Sequence, residues 1–145
     1  MRVMPEVIAE RALHAALVGG LPGVCDARIV EDTLLVVQVE GATGRGRAVV
    51  EQLVKDPVFA GLKLIAAVSP DVPLANETLL RWGIFTRFDA ARDVVFTDAT
   101  LLGAWPGVSG RLGIDATWKT GYPEPVEMPG EVVRQVDLLW GTLFG

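Results

Sequence analysis

Cysteine and histidine each occur once in the 145 residues, as Cys25 and His14. A lone cysteine rules out an internal disulfide and suits a reducing compartment. With one histidine beside it, the chain has too few soft donors for a transition-metal site of ordinary composition. A Ser–His–Asp triad would have to bring His14 to a serine, and neither Ser69 nor Ser109 stands in a nucleophile elbow. We therefore read His14 as a surface residue. Cys25, inside an apolar run, reads as a small buried hydrophobe. Positive charge is also scarce: 13 Lys and Arg face 18 Asp and Glu, giving a net charge of −5 with no basic cluster. That excludes a nucleic-acid binder. No apolar run approaches the ~20 residues of a membrane helix. The N-terminal MRVMPEVIAERALH carries acids where a signal peptide is apolar, so a cytoplasmic location is expected. Neither an internal repeat nor a low-complexity stretch is present.

Half of the residues are apolar and about a fifth charged, the balance of a globular domain long enough to bury a core. The expected fold is a Rossmann-like α/β domain over residues 1–145. Its mixed sheet combines an N-terminal antiparallel hairpin with parallel crossovers and carries helices on both faces. The core covers 1–119, and an arm with a C-terminal helix covers 120–145. Met1 and the finished C-terminal helix lead us to expect a natural chain rather than an excised piece.

In chain order, Pro5 to Val18 has helical spacing, with Pro5 in the first turn and Gly19-Gly20 as the stop. Val24 to Val30 and Thr33 to Glu40 are strands joined through Glu31-Asp32, a spacing that makes an antiparallel hairpin. Arg45 to Lys55 is a helix with Val49, Val50, Leu53 and Val54 inward. Leu62 to Val68 is a short apolar run, hence a strand covered on both faces. Ser69, Pro70 and Asp71 end it. A helix from Asn76 puts Leu79, Leu80, Trp82 and Gly83 on one side, with Glu77 and Arg81 towards solvent. Asp93 to Phe96 resumes a strand, expected to pair in parallel with 62–68. The Gly- and Pro-rich stretches Thr97 to Gly110 and Thr120 to Gly130 read as long loops, and Glu131 to Leu143 as a last amphipathic helix.

Several residues invite a chemical reading. Gly41-Ala42-Thr43-Gly44-Arg45-Gly46-Arg47-Ala48 lies between strand and helix, where phosphate loops occur. It has Arg47 and Ala48 where a P-loop needs Lys and Ser/Thr, so we read it as a structural turn. Arg45 and Arg47 remain candidates for binding a carboxylate or a neighbouring subunit. Trp82 is expected to pack helix on sheet, and Arg87 to pair with Asp89 or Asp93. Asp71 follows a central strand, at the edge where open sheets bind ligands. Asp115-Ala116-Thr117 reads as a turn closed by side-chain oxygens, with Lys119 behind it. Trp105, Trp118 and Tyr122 either cover the core or form a partner surface.

Strand, acidic turn, helix with a central Trp and then TRFD-x-x-RD, followed by GIDATWK at 113–119 and EVVRQVDLLW at 131–140, resembles the C-terminal domain of the UbiD-type decarboxylases. These are prenylated-flavin enzymes typified by polyprenyl-hydroxybenzoate decarboxylase. The resemblance spans nearly all of this chain but only the last third of a typical member. After the central strand the family is richer in acids. This chain has Ser69, Pro70 and Pro73 there, so no family role is carried over to those positions. The resemblance implies that prenylated FMN and its metal belong to a separate domain, and that the C-terminal domain supplies protomer contacts and a movable wall. No catalytic, cofactor-binding or metal-binding residue is therefore assigned here. Trp82, Arg87, Asp93, Trp105, Asp115, Thr117, Trp118, Lys119, Tyr122 and Trp140 are structural or interface candidates.

The implied function is an accessory subunit of a UbiD-like carboxy-lyase, not active alone. It would assemble as a homo- or hetero-oligomer with a larger flavin-binding subunit that acts on an aromatic or unsaturated acid. The alternative is a free-standing small-molecule or nucleotide-binding module. A third reading is an enzyme built on Asp71, Arg87 and Asp115.

Overall fold

The computed structural model describes residues 14–15, 21–123 and 130–144. Strands β1 (Val24–Val30) and β2 (Leu34–Val39) lead to helix α1 (Arg45–Lys55) and a 3-10 turn at Pro57–Phe59. Strand β3 (Leu64–Val68), helix α2 (Glu77–Thr86), strands β4 (Val94–Leu102) and β5 (Trp105–Ala116), and helix α3 (Gly130–Phe144) follow. The helix expected over 5–18 lies outside the described residues apart from His14 and Ala15, which are helical; His14 is exposed.

The sheet has five strands in the order β1-β2-β3-β5-β4. β1 and β2 form the expected hairpin, turned by Glu31 and Asp32 at a φ of 52° each, the left-handed pair that matches strand twist. β2 pairs with β3, and β3 with β5, both in parallel. One expectation is corrected here. The strand after α2 is not the parallel partner of β3; β4 lies at the edge and runs antiparallel to β5, with Val94 opposite Ile114. A second correction concerns 97–110. This stretch is not a loop but the distal half of a β4–β5 ribbon, closed by Gly103 at a φ of 67°.

Alternation along the central strands builds two cores. Leu35, Val37, Val39, Ile65 and Ala67 face α1, meeting Val49, Val50, Leu53 and Val54, with Phe59 and Leu62 closing that layer. Val36, Ala66 and Val68 face the other way and meet Leu80 and Ile84 of α2, with Val72, Leu74 and Ala116. Both faces of β2 and β3 are thus covered, which is why they read as unbroken apolar runs. α1 approaches β5 closely because Gly113 has no side chain: a Cβ there would collide with Val50. α2 sits down on the chain in the same way, since a Cβ on Gly83 would lie 2.6 Å from Val72. Asn76 caps α2, its Oδ1 accepting from the Leu79 amide at 3.1 Å. Leu79, expected inward, is 42% exposed, because the helix turns its Leu80–Ile84 edge to the sheet instead. Cys25 is also exposed rather than buried, since β1 is an edge strand.

α3 stands apart from both cores. Val132, Val136, Leu139, Trp140 and Leu143 are all exposed, and the Trp140 ring lies 4.5 Å from that of Phe144 on the same helix. Truncation before Gly130 should therefore leave the unfolding temperature of the sheet domain unchanged within a degree or two. A cooperative loss of several degrees, measured by calorimetry, would put α3 into the domain's own core.

Candidate functional site

Eight of the ten candidates converge at the carboxyl end of β5 and the start of β4. The organising group is Arg87, just past α2, whose side chain is 0% exposed. Its two terminal nitrogens donate to the two oxygens of Asp71, each at 2.8 Å, and Nε donates to the Pro123 carbonyl at 3.0 Å. Trp82 lies one turn back, with the guanidinium 5.0 Å from its ring centre, so this half-buried indole packs against the cation rather than in the core. The partner differs from the expected Asp89 or Asp93. Those acids follow Arg87 closely in sequence, but Asp71 sits across the β3–α2 connection in fork-to-fork geometry.

Asp93 centres a neighbouring network. Its Oδ2 accepts from the Asp89 amide and from the Tyr122 hydroxyl, each at 2.8 Å, and its Oδ1 from Arg92 Nε at 3.2 Å. Arg92 also donates to the Tyr122 oxygen. Burial alone would raise the Asp93 pKa, but these donors and the charge of Lys119 outweigh it, and the carboxyl sits below its ordinary value. Burial and the hydrogen bond to Asp93 raise the Tyr122 phenol. The bond to Asp93 likewise raises Arg92.

The Asp115–Lys119 turn forms as expected. Asp115 Oδ1 accepts from the Thr117 amide at 3.2 Å and from its hydroxyl at 2.5 Å. Lys119 curls back so that Nζ donates to the carbonyls of Asp115 and Thr117 at 2.8 and 2.9 Å. It also stands 3.7 Å from Asp93 and 3.6 Å from the Asp115 carboxylate. Gly46 of α1 fits directly on this turn, where a Cβ would lie 2.5 Å from Asp115 Oδ1. Among the described residues no buried side-chain polar atom lacks a partner. A network so fully satisfied is rigid and holds the geometry of the surrounding turns. Trp105 and Trp140 are not part of it; they are 78% and 64% exposed on the ribbon and on α3.

Beside the network lies a cleft of about 370 Å³, lined among others by Glu40, Thr43, Arg45, Ser69, Pro70 and Trp118. Its walls follow the carboxyl ends of β2, β3 and β5, the edge at which open α/β sheets take ligands. Trp118 is fixed there by its amide, which donates to Ser69 Oγ at 2.6 Å, and by Nε1, which donates to the Tyr122 carbonyl at 3.0 Å. Glu40 is not among the site residues expected from the sequence, while Thr43 enters only within the Gly41–Ala48 turn and Arg92 only within TRFD-x-x-RD. The signal for Glu40 and Thr43 is their place in the segment that follows the parallel strand β2; for Arg92 it is the TRFD-x-x-RD pattern, in which it precedes Asp93. Arg47, a candidate for an outside carboxylate, is engaged internally by Glu51 and by the Arg92 carbonyl. The cleft offers one carboxylate, Glu40, and one cation, Arg45. That donor set does not fit a flavin phosphate with its metal. No cluster of three or more His, Cys, Asp or Glu able to hold a metal occurs among the described residues, and no helix there is long and apolar enough to cross a membrane.

Two outcomes follow from this geometry. Arg87→Ala should cost about 3 kcal/mol in urea unfolding, less than the upper end for a fully buried pair because Asp71 remains 41% exposed. Arg45→Ala, at an exposed position, should be neutral, and equal midpoints for the two variants would refute the role given to Arg87. Asp93 has a folded-state pKa below its unfolded value. Its contribution is therefore complete above the unfolded pKa and is lost as pH falls through the folded one. Asp93→Asn should flatten the loss of stability as pH falls below the ordinary aspartate range; an unchanged acid limb would contradict the network.

No family model matches the chain. An uncharacterized protein of Archaeoglobus fulgidus is 38% identical over a 94-position alignment that covers 56% of this chain and 20% of that protein. Among solved structures, the vanillic acid decarboxylase of Sedimentibacter hydroxybenzoicus in its closed form superposes with a TM-score of 0.62 at 17% identity, over 92% of this chain and 31% of that one. An evolved dimeric form of the UbiD-class enzyme HmfF from Pelotomaculum thermopropionicum, in complex with prFMN, gives 0.60 at 17% over 88% and 28%. The apo 3,4-dihydroxybenzoic acid decarboxylase of Enterobacter cloacae gives 0.57 at 14% over 90% and 32%. The chain thus spans about a fifth of the curated relative and about a third of these structures. Over that third, its fold is the one found within UbiD-class decarboxylases.

Proposed function

We propose that this chain is a non-catalytic accessory subunit of a UbiD-like carboxy-lyase, working in the cytoplasm. It completes a separately encoded, larger subunit that binds prenylated FMN with its metal and acts on an aromatic or unsaturated acid. The carrying observation is the coverage: about nine-tenths of this chain superposes on about three-tenths of UbiD-class chains. The satisfied Arg87, Asp93 and Lys119 network supports a scaffold role and speaks against an enzyme built on Asp71, Arg87 and Asp115, since both Arg87 and Asp115 are committed to structural bonds. The exposed stripe of α3 supplies a surface for the larger subunit or another protomer. A small-molecule or nucleotide-binding module is the second reading, and the cleft at Arg45 and Trp118 favours it.

Purification of the tagged chain from its native host at native level should bring down a larger flavoprotein whose decarboxylation of its acid substrate stops when the chain is removed. The isolated chain should stay colourless after incubation with prenylated FMN. Stoichiometric flavin absorbance on the chain alone would overturn the assignment. Nucleotide-induced thermal stabilisation without such a partner would favour the second reading.

A further inference from the structure

The connections that follow β2 and β3 leave the sheet on opposite faces. β2 runs into α1, which packs on Leu35, Val37 and Ile65, whereas β3 runs into α2, which packs on Val36, Ala66 and Val68. Because β2 and β3 are neighbours, their outgoing chains part at the carboxyl edge and open a crevice between them. In open α/β sheets such a switch point is where ligands bind. The 370 Å³ cleft is that crevice: the β2–α1 connection forms one side, Ser69 and Pro70 the other, and Trp118 closes it beyond β5. Small-molecule sites run from about 300 to 1,000 Å³, so this one suits a single compact metabolite and is too small for a dinucleotide.

Two opposite charges stand in this cleft without meeting. Arg28, Arg47, Arg81, Arg87 and Arg92 each lie within 3.4 Å of a carboxylate, and Arg111 donates to the Asp56 carbonyl at 2.9 Å. Arg45 has no such partner among the described residues, and Glu40 meets no described cation. Arg45 is nevertheless held in place. Its stem lies across two glycines: a Cβ would sit 3.1 Å from its Cγ at Gly23 and 3.4 Å from its Nε at Gly41. Both glycines have a positive φ, 92° and 124°, which a residue with a side chain adopts only under strain. The Glu40 amide donates to the Gly23 carbonyl at 2.8 Å. The same two turns thus fix the backbone under the carboxylate and the stem under the guanidinium. A cation and an anion fixed in one cleft and left unpaired are complementary to a ligand that carries both signs.

We propose that the cleft binds a free aromatic α-amino acid. Its carboxylate meets Arg45, whose planar fork suits two oxygens, and its ammonium meets Glu40. Its ring lies against Trp118, which Ser69 and the Tyr122 carbonyl hold in place. Charge selects the class. One carboxylate and one guanidinium sum to zero and so match a zwitterion. A nucleotide would bring the negative charge of its phosphate to a chain whose net charge is already −5. An amine or a simple aromatic acid would leave one of the two charges unanswered. A ring on the indole face adds offset stacking that an aliphatic side chain lacks. The inference goes beyond the accessory role: it narrows the second reading of the cleft and holds whether or not the chain also serves a flavoprotein.

The test is isothermal titration calorimetry of the full chain with L-phenylalanine, alongside the indole N–H resonance of Trp118 in isotope-labelled protein. We expect a single site with a Kd of about 10 µM to 1 mM and a shift of that resonance. No heat and no shift up to about 10 mM ligand overturn the proposal. Phenylpropanoate and phenethylamine, each lacking one of the charges, should bind at least about 10-fold more weakly. Equal binding of either refutes the zwitterion, and tighter binding of adenosine monophosphate refutes the class. Arg45→Ala and Glu40→Gln, both at exposed positions, should each raise the Kd about 10-fold or more and leave the unfolding temperature unchanged. Arg81→Ala, on α2 outside the cleft, should leave the Kd as it is. Affinity kept in both cleft variants overturns the site. Absence of binding would leave the flavoprotein pull-down standing, and failure of the pull-down would leave these titrations standing, so the two readings fail separately.

Discussion

Arg87 is the constraint on which the carboxyl end of this sheet depends. A guanidinium removed from water is tolerable only when its donors meet fixed acceptors in good geometry. Here those acceptors come from two remote segments: Asp71 on the β3–α2 connection and the Pro123 carbonyl beyond the Asp115 turn. One side chain therefore ties the exit of β3, the end of α2 and the chain leaving β5. Trp82 and the Lys119 ammonium, which donates to the Arg87 carbonyl at 3.4 Å, complete the shell. The TRFD-x-x-RD and GIDATWK segments are distant in sequence because they are the two halves of one polar lock.

That lock explains why the neighbouring cleft keeps its shape. Trp118 follows Thr117, which Asp115 holds, and its indole N–H is held by the carbonyl of Tyr122, whose hydroxyl is held by Asp93. The cleft wall is therefore set by groups that do not themselves enter the cleft. Buried charges here position a surface, while the exposed Arg45 and Thr43 are left available at its rim. Rigid walls with a few free polar groups suit either a ligand or the face of another subunit.

The sequence made the β2–α1–β3 unit legible because both of its signals are local. Period-two apolar runs and the Val49, Val50, Leu53 and Val54 spacing need no knowledge of distant partners. The ribbon was illegible for the opposite reason. Over 97–110 both faces are exposed, so no apolar/polar alternation marks a strand, while Gly103, Gly107, Gly110 and Pro106 imitate a loop. Its order comes from cross-strand pairing, which leaves no trace in a single strand's pattern. The strand order failed similarly, because β5, invisible as a strand at its start, takes the place beside β3 that β4 was expected to hold. For Arg87, proximity in sequence favoured Asp89 and Asp93. Geometry instead gave Asp93 to Arg92, Tyr122 and Lys119, leaving Asp71 as the acid able to meet both arms of the fork.

These failures share a physical origin that bears on function. Wherever this chain satisfies its own apolar surface, period and packing agree and the sequence is readable. Wherever apolar surface stays uncovered, on the distal ribbon and along α3, the pattern no longer reports the chain's own core. α3 kept a clear helical stripe because helix hydrogen bonds are local, whereas the ribbon had only its partner strand to define it. Both carry tryptophan and leucine into solvent, a cost that folding alone gives no reason to bear. The same chain guards β1 with the charges of Asp26 and Arg28 and a kink between Val24 and Asp26, so it is not indifferent to exposed edges. Selective exposure beside selective protection is what a component of a larger assembly would need, and it supports the proposed accessory role with the ribbon and α3, rather than β1, as the surfaces left uncovered among the described residues.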